Sequence, residues 1–152
     1  MKKDYITSNN GEIIKGPYLL HSKIFKDERG YFFESFNKNC FEKIINKKVE
    51  FVQDNQSNSN YGVFRGLHYQ LSPKPQAKLV RVVTGKILDI IVDIRKNSKT
   101  YKSWAGIYLD HKNFQQLWIP EGFAHGFLSL EENTIINYKT TNYWDKELER
   151  SI

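Results

Sequence analysis

Turn signals recur along this chain at short intervals, and that spacing limits what it can fold into more than any other feature. Asp27-Glu-Arg-Gly30, Asn58-Ser-Asn-Tyr-Gly62, Ser72-Pro-Lys-Pro75 and Thr84-Gly85 each break the chain before a helix of useful length could form. Between them lie strand-length runs rich in β-branched and aromatic residues, over 31–36, 63–70, 78–83, 86–95, 104–109, 115–119, 126–130 and 134–140. Thr84-Gly85 joins two of these as a hairpin. Residues 1–20 are turn-rich and then apolar. Only 38–48 carries a helical pattern, with Phe41, Ile44 and Ile45 on one face. Many short strands and one short helix predict an all-β chain, a sandwich or a barrel. At 152 residues it is expected to be a single domain over 1–152.

Composition removes several classes of function. With 39% hydrophobic and 26% charged residues the chain is neither disordered nor fibrous. One cysteine, Cys40, excludes a disulfide framework and a cysteine-rich zinc site. No apolar run is long enough for a membrane span, and the start, Met1-Lys-Lys-Asp-Tyr5, lacks the apolar stretch of a secretory signal. The expected compartment is the cytoplasm. The net charge of +6 favours small anions, nucleotide phosphates among them. Its lysines and arginines never run more than two together, which argues against a nucleic-acid or lipid surface.

The run from 86 to 95 shows its alternation most clearly. Leu88, Ile90, Val92 and Ile94 are expected to form the core face. Ile87, Asp89, Ile91, Asp93 and Arg95 point the other way. Aliphatic residues mixed with carboxylates suit a lined cavity, or an edge strand with charges in water.

Three segments carry candidate chemistry. In Arg65-Gly-Leu-His-Tyr-Gln70, strict alternation sends Arg65 and His68 to opposite faces, unless Gly66 hosts a bulge that re-aims one of them. His68 reads either as a hydrogen-bonded histidine or as a catalyst. In Pro120-Glu-Gly-Phe-Ala-His-Gly-Phe127 a tight turn delivers His125 at the start of a strand. In Tyr138-Lys-Thr-Thr-Asn-Tyr-Trp144, Tyr138 lies in a strand, and Tyr143 and Trp144 at its end either stack on a base or cap the core. The P-x-G-x-x-H spacing at 120–125 resembles the second cupin motif. Metal-binding cupins also use an H-x-H pair followed by Glu; here that stretch is His68-Tyr69-Gln70, with no Glu at 71–75. Two histidines without a third ligand are a poor transition-metal site, so no metal and no cofactor is expected.

Taken in order, seven segments resemble the dTDP-4-dehydrorhamnose 3,5-epimerase family, metal-free cupins that act on sugar nucleotides. They are Asp27-Glu-Arg-Gly-Tyr-Phe-Phe-Glu34, Phe51-Val-Gln-Asp-Asn-Gln-Ser57, Arg65 to Gln70, Lys78-Leu-Val-Arg81, Gly85 to Arg95, Gln116 to Phe127 and Tyr138 to Tyr143. The resemblance implies a cupin-type jelly roll, a homodimer whose N-terminal residues reach the partner's site, and inversion of C3 and C5 of a dTDP-4-keto-6-deoxyhexose. By the same resemblance His68 is the base, Tyr138 the acid, Lys78 the cation at the sugar O4 and Asp89 a buried acid of the network. Arg65 and His125 contact the substrate. Arg29 binds the diphosphate, Glu34 contacts the base, Gln53 and Asn55 form a polar pair at the nucleotide, Trp144 stands where a tyrosine usually stacks on the base, and Glu149 is a late polar contact. The family pattern runs on past Ile152 with a tail that supplies an Asp orienting the base histidine and a further lysine. The chain is expected to lack both, with Asp89 as a partial substitute. That departure keeps two alternatives open: inversion at one centre only, or nucleotide-sugar binding with weak turnover.

Overall fold

The computed structural model describes residues 1–152. Along the chain run β1 (Lys2–Thr7), β2 (Ile13–His21), β3 (Phe25–Asp27), β4 (Gly30–Phe32), α1 (Lys38–Ile45), β5 (Gln53–Ser59), β6 (Phe64–Gln70), β7 (Lys78–Thr84), β8 (Lys86–Asp93), β9 (Trp104–Asp110), β10 (Gln115–Ile119), β11 (Phe123–Ser129), β12 (Thr134–Thr140) and β13 (Glu149–Ser151). They form a six-stranded sheet in the order β1-β2-β10-β7-β12-β5 and a five-stranded sheet in the order β13-β6-β11-β8-β9, with β3 and β4 as a separate two-stranded hairpin. Every pairing is antiparallel. The expected all-β, jelly-roll architecture with one short helix is what is found. No helix is long and apolar enough to cross a membrane.

Alternate residues of the two sheets meet in one apolar layer. Val80 and Val82 of β7, Ile87 and Ile91 of β8, Leu117 and Ile119 of β10 and Ile136 of β12 are its buried centre. Full burial of one such side chain is worth about 1.5–3 kcal/mol. A second layer lies outside the six-stranded sheet, where Phe41 and Ile45 of α1 pack on Leu20, Leu79 and Trp118. Asn37 caps this helix by accepting from the Cys40 N–H, and Asn46 ends it in the left-handed conformation (φ 55°). The helix therefore stops before 48.

Several expectations are corrected. The faces of β8 are reversed: Ile87, Asp89, Ile91 and Asp93 are the buried set, while Leu88, Ile90 and Val92 stay partly exposed. Of the two carboxylates on the interior face, Asp93 is fully partnered and Asp89 has the His125 imidazole alone. Asp93 is held by the Arg95 guanidinium, the Ser98 and Thr100 hydroxyls and the Arg95 N–H. Burial alone would raise its pKa, but these hydrogen bonds outweigh that and hold the carboxyl well below the usual range. β4 ends at Phe32, so no strand spans 31–36. Phe33 packs instead on Phe114 and Phe36 on Phe41 and Phe51. β11 begins at Phe123, which puts His125 inside the strand, not at its start. Residues 1–20 hold two paired strands. The turn expected from Asn58 begins later, because β5 continues to Ser59.

Candidate active site

The two sheets part at one end around a cavity of about 680 Å³. From the six-stranded sheet, β5 contributes Gln53, Asn55 and Ser57, β7 contributes Lys78, and β12 contributes Ile136, Tyr138 and Thr140. The opposite wall carries Arg65 and His68 of β6, His125 and Phe127 of β11, and Glu149 of β13. Trp144 stands at the rim, about half exposed.

Local backbone chemistry explains how Arg65 and His68 share one wall. His125 pairs with His68 and Phe127 with Arg65, so two steps on β11 match three on β6. The extra residue is a bulge at Gly66-Leu67 that cancels the alternation. Gly66 has φ +140°, and a Cβ there would lie 2.5 Å from the Gly126 Cα. Only glycine satisfies both conditions.

The cross-strand register sets the remaining neighbours. Thr140 stands opposite both Lys78 and Gln53, and Tyr138 opposite both Val80 and Asn55. Lys78 and Tyr138 are thus diagonal neighbours on adjacent strands of one wall, facing His68 and His125 on the other. Loss of water around the Lys78 ammonium pushes its pKa down to about 8, against the pull of Asp89 and Glu149. Burial, helped by the negative charge of Glu149, raises the Tyr138 phenol, and Arg65 opposes that shift. Asp89 is fully buried behind the wall, with one carboxylate oxygen 3.0 Å from the His125 Nε2 and the other without a hydrogen bond. It therefore partners His125 and does not substitute as a partner for His68.

The nucleotide-side residues form a chain of their own. Gln53 donates to Asn55 (2.7 Å) and accepts the Trp144 N–H (3.0 Å). Arg29 and Glu34 do not line this cavity. Arg29 projects into solvent from the β3–β4 turn, paired with Asp27 at 2.6 Å, and Glu34 accepts from Asn37. Ser57, Phe64, Gln76, Phe127, Ile136 and Thr140 also line the cavity. Two of these were readable in principle, because 136 and 140 flank 138 on the same face of one strand. No group of three or more His, Cys, Asp or Glu side chains is arranged to hold a metal ion.

Comparison with known proteins agrees with this geometry. The family model described as dTDP-4-dehydrorhamnose 3,5-epimerase matches residues 12–152. The chain is 54% identical over 134 residues to the Shigella flexneri protein of that name, covering 88% of this chain and 74% of the relative. It is 48% identical over 139 residues to the Methanothermobacter thermautotrophicus protein of that name, covering 91% and 74%. Among solved structures, the Bacillus anthracis epimerase with TDP and PPi bound superimposes with a TM-score of 0.88 at 42% identity, covering 99% of this chain and 83% of that one. The Legionella pneumophila epimerase in complex with dTDP-4-keto-L-rhamnose gives 0.90 at 43%, covering 99% and 77%. This chain belongs to the dTDP-4-dehydrorhamnose 3,5-epimerase family.

Proposed function

We propose that the chain inverts C3 and C5 of a dTDP-4-keto-6-deoxyhexose, turning dTDP-4-dehydro-6-deoxyglucose into dTDP-4-dehydrorhamnose without a cofactor. A C–H next to a ketone is a weak acid, so the reaction needs a base on one face of the carbon, an acid on the other and a charge at the oxygen. One observation carries this reading: an imidazole and a phenol enter a single cavity from opposing sheets, with an ammonium beside the phenol. In the proposed sequence a nitrogen of His68 takes the proton from C3 or C5. The electron pair moves onto O4, where the Lys78 ammonium stabilises the enolate. The Tyr138 hydroxyl then delivers a proton to the opposite face of the same carbon, the phenolate recovers one from water, and His68 returns to the solvent the proton it took. The raised phenol pKa keeps Tyr138 protonated, and the positive charge of Arg65 favours the phenolate that forms when it donates. Asp89 fixes the ring of His125, and His125 and Arg65 contact the substrate.

The nucleotide lies along Gln53, Asn55, Trp144 and Glu149. Arg29 and Glu34 act in trans in a homodimer, Arg29 on the diphosphate and Glu34 on the base. Support for this comes from the β3–β4 hairpin, which pairs with neither main sheet and leaves Phe25, Tyr31 and Phe32 more than half exposed. The compartment we assign is the cytoplasm; Cys40 is a free, exposed thiol, in keeping with a reducing environment. The second reading, inversion at one centre only, is favoured by Asp89 binding His125 and not His68, which leaves the base without that carboxylate.

The test is mass spectrometry of dTDP-4-keto-6-deoxyglucose incubated with the enzyme in D₂O. Deuterium at both C3 and C5 supports the proposal, and deuterium at one centre supports the second reading. Nucleotide binding without deuterium uptake overturns both.

A further inference from the structure

Gln70 is buried at 7% exposure and does not line the cavity, yet its amide is held by two loops, 71–77 and 141–148, that contribute Gln76 and Trp144 to the lining. Its Nε2 donates to the carbonyls of Lys74 and Tyr143, and its Oε1 accepts the Asp145 N–H at 3.0 Å. The two contacts to residues 143 and 145 bracket Trp144, whose own N–H is taken by Gln53. Residues 141–145 belong to no strand, so their backbone groups have no ladder to join. Apart from the Thr141 N–H on the Ala77 carbonyl and the turn bonds that the Asp145 carbonyl accepts, side chains take the place of that ladder. Gln76 donates to the Asn142 carbonyl at 2.8 Å, Asn142 donates back to the Pro75 carbonyl, and Lys74 pairs with Asp145 at 2.9 Å. Gln70 stands at the centre of this network, two residues beyond His68 on β6.

We infer that Gln70 is a positioning residue that presets the Trp144 indole as a rigid platform for the nucleotide base and ties that platform to the strand bearing His68. This inference rests on the proposed reading of Trp144 as the base-stacking residue. The indole is 54% exposed, so packing alone does not hold it. An unfixed platform would have to be ordered when the nucleotide binds, and that ordering opposes binding. The residue acts on affinity for the nucleotide half and leaves proton transfer at the sugar untouched.

The test measures binding of thymidine diphosphate by titration calorimetry, together with kcat and KM, for Gln70→Met, Trp144→Ala and the double variant. Methionine keeps the shape of glutamine and removes all three hydrogen bonds. Base stacking is worth about 1–3 kcal/mol, so Trp144→Ala should weaken binding about 5- to 150-fold. Gln70→Met should weaken it about tenfold and raise KM alike, with kcat within about twofold of wild type. The double variant should bind no more weakly than Trp144→Ala alone, because Gln70 acts only through the indole. If Trp144→Ala leaves binding unchanged, the reading of Trp144 fails. If Trp144→Ala weakens binding while Gln70→Met does not, or the two losses add, the positioning role fails and the other reading stands. Hydrogen exchange on the wild-type chain needs no variant. The Trp144 and Asp145 amides should exchange as slowly as those of β6, and the rapid exchange of a free loop would overturn the inference.

Discussion

Replacing Lys78 by methionine should stabilise the protein while removing its activity. The drop of the Lys78 pKa from 10.5 to about 8 reflects an ammonium that has lost its water. At about 1.4 kcal/mol per tenfold change in proton affinity, that drop corresponds to about 3 kcal/mol. The side chain is half-buried, not sealed, and solvent screening reduces the figure to about 1–2 kcal/mol. Methionine keeps much of the length and carries no charge. The sign follows from proton counting. Between about 8 and 10.5 the unfolded chain holds the Lys78 proton more tightly than the folded one, so wild-type stability rises with pH across that window. Below about 8 both states are protonated and the full penalty is present. The advantage of Lys78→Met should therefore be largest near neutral pH and shrink as pH climbs through the window. Urea melts of both proteins at about pH 7 and about pH 10 give the two differences, and a gain of about 1–2 kcal/mol corresponds to a melting temperature higher by about 2–8 °C for a chain of this size. Activity should fall about 10²- to 10³-fold, the usual consequence of removing one oxyanion-stabilising group. A variant less stable than wild type, or a difference that does not change with pH, would refute the claim that this ammonium is held against its solvation preference.

Four further outcomes are expected. His68→Ala should abolish deuterium uptake at both carbons, a loss of about 10²- to 10⁴-fold by mass spectrometry. Tyr138→Phe should keep uptake but impair inversion, since His68 can return a deuteron to the face it left; loss of uptake as well would show that the two roles are not separate. Asp93→Asn should destabilise by about 1.5–3 kcal/mol in a denaturant melt, because it turns the charge-assisted bonds from the partly exposed Arg95 guanidinium into neutral ones. If Arg29 acts in trans, coexpressed Arg29→Ala and His68→Ala chains should regain activity that neither homodimer has, and absence of rescue would count against the shared site.

Legibility in the sequence followed the hydrophobic alternation and stopped where that alternation was interrupted for physical reasons. β12 was readable to the residue because Ile136 faces the core and its neighbours follow in phase. β5 was not, because Gln53, Asn55 and Ser57 face a polar cavity and the opposite face meets water, so Gln-Asp-Asn-Gln-Ser-Asn-Ser has no apolar phase. The bulge in β6 could be suspected at Gly66, but its placement depends on the close approach of Gly126 from a strand distant in sequence. The seven family-like segments pointed to Lys78, His68, His125 and Tyr138, and these four do line one cavity. Arg29 and Glu34 came from the same kind of reading and lie outside that cavity, because a local sequence pattern carries no information about where a surface hairpin sits relative to the pocket.

The two aspartates of β8 show why residue type alone does not separate structure from chemistry. Asp89 and Asp93 are four residues apart on the same strand face, and both are fully buried. Asp93 accepts from a guanidinium, two hydroxyls and a backbone N–H, so its charge is satisfied and it fastens the loop after β8. Asp89 holds one imidazole and leaves its second oxygen without a partner, an arrangement that costs about 1–3 kcal/mol when nothing compensates. Its charge does favour the protonated form of Lys78, the group most penalised by burial. An unsatisfied carboxylate and a desolvated ammonium each weaken the fold alone, and together they keep a cation at the cavity wall. Strain of this kind concentrates at functional sites, and here the unsatisfied aspartate is the one directly behind the cavity wall.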